Sequence, residues 1–345
     1  MSKLSTAHSY NNSEVHLKKF SLGTFSLKAN PQQRFAGLVI DAKVIPVSRV
    51  AEEFGVDILR EKSVLSLLEN WNASYSALES IVNKVITSSW YDENQLTFRP
   101  AVDLPRQVFC TGANYRKHVV DLTVDSNVGP EGLSKEELRT WAEDMMDDRV
   151  ANGEPYVFTK PVSAISGAYD DLVLPPTTSK PDWELELAVV IGKEGYNIRV
   201  EDAMDYVAGY TIVNDISARD LIPRTDYKML GTDWLRSKGQ PGFLPLGPYL
   251  VPKQFVEDPH NLSMQLTVSG KTMQDETTAD MLFGIEQQIA YISKYAKLLP
   301  GDVICTGSPA GNGTHYNRFL RDGDIMVGTI AGLGAQRQNC ISHSG

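Results

Sequence analysis

Between residues 15 and 50 apolar and polar side chains alternate in short runs, FSLGTFSL, RFAGLVID and KVIPVSRV, with turn-forming residues between them. A period of two over such lengths predicts short strands. From 51 to 88 the spacing lengthens, and Val64, Leu67, Leu68, Leu78, Ile81, Val82 and Val85 fall on helical positions. Together these stretches predict a small N-terminal α+β domain over 15–104. It ends at LTFRPAVDLPRQ, where two prolines mark a connection. The polar residues 1–14 ahead of it read as a loose tail.

Residues 105–338 are patterned differently. Strand-like runs (VFCTGANY, LELAVVIG, GYTIVNDIS, YLVP, MQLTVSG, DVICTGS and DIMVGTIAG) are separated by turns rich in glycine and proline. Helices are expected at EDAMDYV and at MLFGIEQQIAYISKYAKLL. No fixed repeat recurs, and strands outnumber helices, which favours a mixed, β-rich α+β domain over a doubly wound sheet. Residues 123–155 interrupt this pattern. There Ser134 and Glu137 form a capping box, and Leu138, Trp141, Ala142 and Met145 share one helical face. Gly129, Pro130, Gly153 and Pro155 bracket the helix. It is expected to be a lid-like insertion that closes over ligand. The alternative is a surface helix packed on the N-terminal domain or on a second subunit.

Hydrophobic residues make up 42% of the 345, charged residues 22%, and the formal net charge is −10. Those proportions suit a globular protein with a core. An acidic surface repels phosphate backbones and anionic lipid, so neither nucleic acid nor a membrane is an expected partner. An anionic substrate would need cations or a metal placed locally. Cys110, Cys305 and Cys340 match no zinc spacing and read as reduced thiols of a cytoplasmic protein. The opening residues, MSKLSTAHSYNN, have neither the apolar core of a signal peptide nor an Arg-rich amphipathic pattern. Apolar runs such as LAVVIG are too short to span a bilayer.

The sharpest chemical signal is PDWELELAVVIGKE. In a strand Glu184 and Glu186 share one face, while Trp183, Leu185 and Leu187 take the other. Two adjacent carboxylates repel, and burying them uncompensated is costly. A divalent cation removes both problems, and hard oxygen ligands suit Mg²⁺, Mn²⁺ or Ca²⁺. The alternative is a wet sheet face with solvated glutamates. A second acidic position, Asp215, ends the apolar run of GYTIVNDISARD, with Arg219 and Asp220 close behind. It either joins a site at the strand end or caps a turn.

DWELELAVVIGK followed by GYTIVNDISARD resembles the paired hallmark of the fumarylacetoacetate hydrolase family. Further blocks of that family stand in order: TGANYRKH at 111–118, FTKPVSAISG at 158–167, LRSKGQPGFLPLGP at 235–248, MQDETTADMLF at 273–283 and LLPGDVICTGSPAGNG at 298–313. The resemblance spans roughly 105–335. It implies a mixed β-sandwich or β-roll that pairs as a homodimer, with Mg²⁺ (or Mn²⁺, or Ca²⁺) held by Glu184, Glu186 and Asp215. It also implies a small anionic 2-oxo acid as substrate.

By the same resemblance His118 is the general base, oriented by a carboxylate three residues on. Here that residue is Asp121, one methylene shorter than the family's glutamate. Read from the sequence alone, His118 equally suits a hydrogen-bonded residue closing a loop. Lys238 is implied to stabilise an enolate or hold a carboxylate, with Arg219 as a second anion contact. Gly239 and Gln240 follow it where the family has Ser-Phe, which marks an altered pocket wall. Thr306 of TGSPAGNG, Tyr115 and Gln274 are the further substrate-binding candidates. That loop lacks the lysine of a P-loop, and AGLGAQ lacks the context of a dinucleotide fold.

The implied reaction is metal-dependent C–C hydrolysis of a small 1,3-dicarbonyl 2-oxo acid such as an acylpyruvate or fumarylpyruvate. Oxaloacetate-type decarboxylation and hydratase or isomerase chemistry of aromatic catabolism share the same metal site. A non-catalytic metal-binding scaffold would leave the histidine, lysine and loop blocks idle.

Overall fold

The structure is a computed structural model that describes residues 18–61, 63–84 and 90–343. The expected tail over 1–14 and the helical position Val85 lie outside the described residues. Three sheets carry the fold. In the N-terminal sheet the strands follow the order Tyr91–Asp92, Lys43–Pro46, Asn30–Ile40, Ser21–Leu27, Leu96–Phe98, all antiparallel. KVIPVSRV departs from the expectation of a strand throughout. Lys43–Pro46 is strand, but Val47–Phe54 is helix, with Pro46 as its N-cap and Gly55 ending it at φ 67°. Proline cannot donate to a ladder, yet it suits a helix start. Helices Val64–Glu69 and Trp71–Val82 bury the predicted Val64, Leu67, Leu68, Leu78, Ile81 and Val82.

The central sheet runs Tyr156–Thr159, Val108–Gly112, Val303–Cys305, Leu185–Ile191, Val207–Asn214, Leu244–Leu246, Ile165–Gly167. Two of its pairings are parallel, and the others on this path antiparallel. The third sheet has the order Lys271–Thr277, Ser263–Val268, Ile325–Ile330, Gly334–Ser342, Leu172–Leu174. EDAMDYV is a 3-10 helix over Val200–Tyr206, and the long C-terminal helix is Ile285–Tyr295. The chain is thus a mixed α+β fold in stacked layers. No helix among the described residues is long and apolar enough to cross a membrane.

Leu185–Ile191 lies in the middle of the central sheet and is buried along its whole length. Leu185, Leu187, Val189 and Ile191 pack toward Met264, Leu266, Met326 and Ile330 of the third sheet. Ala188 and Val190 point the other way, into a core shared with Leu22, Leu38, Leu67, Leu68 and Trp71 of the N-terminal unit. The N-terminal unit is therefore the lid of the central sheet's second face. Leu22 also exchanges backbone hydrogen bonds with Leu250, at 2.9 and 2.7 Å.

The inserted helix is Lys135–Asn152, opened by the expected capping box between Ser134 and Glu137. It buries Leu138, Ala142 and Met146, and of these Ala142 and Met146, with the half-covered Trp141 and Met145, pack against Val120, Leu282 and Phe283. It packs within the C-terminal part of the chain, beside the helix Arg116–Asp125.

A shared core predicts shared cooperativity. Leu22→Ala should lower the unfolding free energy by about 2–5 kcal/mol, the usual cost of such a truncation, in a single denaturant transition. Two separate transitions, with only one shifted, would contradict it.

Candidate metal centre

Glu184 stands just ahead of the strand Leu185–Ile191, and Glu186 is its second residue. Their shared face is the one that continues into Ala188 and Val190. The wet-face alternative fails: Glu184 is 7% and Glu186 2% exposed, with Lys238, Arg219 and the Gly307 N–H against their carboxylates. Asp215, 1% exposed, follows the neighbouring strand Val207–Asn214. The two strand ends are locked together by the Asp215 N–H donating to the Glu184 carbonyl at 2.8 Å and the Glu184 N–H donating to Asn214 Oδ1 at 2.9 Å. One carboxylate oxygen from each of Glu184, Glu186 and Asp215 lies within 4.8 Å of the others.

Two buried lysines and the half-buried Arg219 answer these carboxylates. Lys238 Nζ lies 2.8 Å from Glu184 Oε2 and 2.5 Å from Asp215 Oδ2. Phe158 and Trp234 stack on each other at 4.9 Å beside it, with the ammonium 5.1 and 5.9 Å from their centroids. Lys160 Nζ donates to Asp215 Oδ1 at 2.6 Å and to the carbonyls of Phe243 and Ile216 at 2.7 and 3.2 Å. Arg219 donates to Asp182 Oδ2 at 2.8 Å, and its Nη2 lies 2.6 Å from Glu184 Oε1 without hydrogen-bond alignment. Asp182 in turn accepts from the N–H groups of Gly313 and Thr314, tying the 306–313 loop to the cluster.

Burial opposes the charge of Glu184, but Lys238 and Arg219 hold it down to about 2. Lys238 stays above its ordinary value because Asp215 and Glu184 outweigh the cost of its burial. Glu186 behaves in the opposite way. Burial, and then the charge of Asp215, push it well above the usual carboxylate range. Its Oε2 accepts one N–H, from Gly307 at 2.8 Å. Glu186 is thus the carboxylate short of positive charge, and the three hard oxygen donors fit Mg²⁺ or Mn²⁺.

The remaining candidates divide. His118 is half-buried on the helix Arg116–Asp125 and feels Glu184, Arg219 and Lys238. Desolvation, stronger than the pull of Glu184, brings it down to about 4. Asp121 sits three residues on, but its Oδ1 pairs with Arg139 at 2.9 Å and its Oδ2 with Lys117 at 3.4 Å. Among the described residues no hydrogen bond joins it to His118.

Thr306, Tyr115 and Gln274 are fully buried with their polar atoms engaged inside the protein. Thr306 donates to the Leu187 carbonyl at 2.9 Å, and the Tyr115 hydroxyl reaches Met264 Sδ at 3.7 Å. Gln274 accepts from the Leu185 N–H and donates to Ser308 and to the Pro309 carbonyl. Lys160 and Asp182 escaped the sequence reading. Both stand inside the blocks FTKPVSAISG and PDWELELAVVIGKE, but only their distant partners mark them out.

If these carboxylates hold the ion, exhaustive chelation abolishes activity and Mg²⁺ or Mn²⁺ restores it. Asp215→Asn should weaken Mn²⁺ binding by more than the roughly 10–100-fold that loss of an outer-shell partner costs. Glu194→Gln, on the exposed Lys297 pair, should leave it unchanged. Full affinity in Asp215→Asn would remove Asp215 from the ligand set.

Comparison with known proteins gives this geometry a lineage. The family model described as fumarylacetoacetate (FAA) hydrolase C-terminal matches residues 107–341. Human mitochondrial oxaloacetate tautomerase FAHD2B is 37% identical over 276 residues, covering 79% of this chain and 78% of that protein. A 2,4-didehydro-3-deoxy-L-rhamnonate hydrolase of Sphingomonas sp. is 42% identical over 188 residues, 54% of this chain and 64% of its own. Among solved structures, fumarylacetoacetate hydrolase from psychrophilic Exiguobacterium antarcticum superposes with a TM-score of 0.69 at 24% identity, covering 94% of this chain and all of that one. The chain belongs to the fumarylacetoacetate hydrolase family.

Proposed function

We propose that this protein is a divalent-metal-dependent enzyme that interconverts the keto and enol forms of a small, oxaloacetate-like 2-oxo dicarboxylic acid. The observation that carries this reading is the engagement of Asp121 by Arg139 and Lys117. A histidine without its carboxylate partner is poorly oriented to activate water, whereas moving a proton between carbon and oxygen asks only for a neutral imidazole beside the substrate. The similarity to the human oxaloacetate tautomerase over most of both chains points the same way.

Glu184, Glu186 and Asp215 would hold the ion, which supplies Lewis-acid polarisation of the 2-oxo group when bound. The charges set the sign of the substrate. Four carboxylates (Asp182, Glu184, Glu186, Asp215) face three cations (Lys160, Arg219, Lys238). That leaves one negative charge when all are ionised, and a divalent ion reverses it to one positive charge, which suits an anion. Lys238, kept protonated, supplies a fixed positive charge for the oxygen that becomes negative in the enolate. His118, brought down to about 4, is neutral near pH 7 and would carry the proton between C3 and the 2-oxygen, taking it from one and delivering it to the other. A cytoplasmic homodimer completes the proposal.

C–C hydrolysis of an acylpyruvate- or fumarylpyruvate-like acid is the second reading. The placement of His118 and Asp121 one turn apart on a single helix favours it, since residues three apart share a face. Both readings use His118, and assays separate them.

Wild-type enzyme with Mg²⁺ should accelerate loss of the oxaloacetate enol absorbance more than it releases CO₂ from oxaloacetate or pyruvate from acylpyruvates. His118→Ala should lower kcat for ketonisation by about 10²–10⁴-fold with Mn²⁺ affinity retained. Faster acylpyruvate cleavage than ketonisation would replace this reading with the hydrolytic one. An unchanged kcat in His118→Ala would take His118 out of the mechanism.

A further inference from the structure

We infer that Arg139, carried by the inserted helix, decides which reaction this site performs by withholding Asp121 from His118. The inference rests on the proposed proton-transfer reading and adds the residue that enforces it.

Both oxygens of the Asp121 carboxylate are claimed: Oδ1 by Arg139 Nη2 at 2.9 Å and Oδ2 by Lys117 Nζ at 3.4 Å. Lys117 is divided, because its ammonium lies closer to Glu276, at 2.8 Å. Arg139 is the principal holder. The Asp121 side chain is 15% exposed and that of Arg139 46%, so solvent screens the pair in part and its charge-assisted hydrogen bond falls between a buried and an open one.

The position of Arg139 is built into the packing. Leu138, its chain neighbour, is buried, and Ala142, three residues on, packs against Val120, Leu282 and Phe283. Arg149 lies over the Phe283 ring at 5.4 Å and donates to the Ala113 carbonyl, while Arg116 pairs with Asp147. These ties dock the inserted helix along the helix that carries His118. The stem of Arg139 therefore leaves a fixed backbone and reaches Asp121 from the solvent side.

His118 and Asp121 are three residues apart in one helix, about 5–6 Å between Cβ atoms, so a released Asp121 is within reach of the imidazole. Once there, it would accept the ring N–H and orient the opposite nitrogen toward water, the step that hydrolysis requires and keto–enol exchange does not. The pair held by Arg139 keeps that step switched off. Arg139 is thus a positioning residue: it acts on the reacting atoms only through Asp121.

Three variants test this with oxaloacetate ketonisation and acylpyruvate cleavage measured side by side. Arg139→Met, which keeps the apolar stem and removes the charge, should raise the ratio of cleavage to ketonisation about ten-fold, as expected for losing one charge-assisted hydrogen bond. Arg139→Lys should restore the wild-type ratio. Adding Asp121→Asn to Arg139→Met should cancel the gain. An unchanged ratio in Arg139→Met, or a gain that survives Asp121→Asn, would overturn the inference while leaving the proton-transfer reading intact. Wild-type enzyme that already cleaves acylpyruvates faster than it ketonises oxaloacetate would overturn that reading, and this inference with it.

Discussion

Lys238 Nζ reaches Glu184 and Asp215 at 2.8 and 2.5 Å in a region almost closed to solvent, and the rest of the site depends on this contact. Four carboxylates in so small a buried volume repel one another strongly, since the interior screens charge far less than water does. Lys238, Lys160 and Arg219 make the arrangement tolerable. They also fix it: Lys238 bridges Glu184 and Asp215, Lys160 holds Asp215 from its other oxygen, and Arg219 ties Asp182 to Glu184. Glu186 is left with one N–H and a carboxyl pushed well above its usual range. That imbalance is the physical demand that a divalent ion would satisfy.

The fold serves this demand by burying a polar face. In a typical sandwich a central strand shows one face to the core, and the other can be solvated. Here the N-terminal unit supplies a second apolar layer over Ala188 and Val190, and at the strand's start Lys238, Arg219 and the Gly307 N–H close over the two glutamates, which are 7% and 2% exposed. The strand pairing Leu185 with Asn214 then brings Asp215 alongside Glu184. Gly307, at φ 101° and with Asn114 Cβ 2.8 Å from where its own would stand, brings its N–H to Glu186 in a conformation that favours glycine.

Much of this was legible in the sequence, and the gaps have physical causes. The alternation in WELEL shows that Glu184 and Glu186 share a face, because side-chain direction in a strand is local. Whether that face is wet is not local. It is set by Lys238 and Gly307, 54 and 121 residues along the chain from the glutamates they contact. Lys160 and Asp182 stayed hidden for the same reason, their partners being 55 and 131 residues away. KVIPVSRV failed because its apolar spacing suits a strand and a helix start equally, and Pro46 decides. Tyr115, Gln274 and Thr306 carry family blocks, yet their polar atoms hold the loops around the cluster. A family block marks what shapes a site as well as what reacts in it. The capping box of the inserted helix could be read from residues three apart, but its contact with Asp121 crosses a loop and could not.

The account stands on the claim that Glu184, Glu186 and Asp215 converge on one ion. Crystals grown with Mn²⁺ and measured near the manganese absorption edge test it directly. The prediction is a single anomalous peak per chain, bonded to one carboxylate oxygen from each of the three residues, with His118 facing it. A peak elsewhere, or none at the cluster with Lys238 still bridging Glu184 and Asp215, would contradict it.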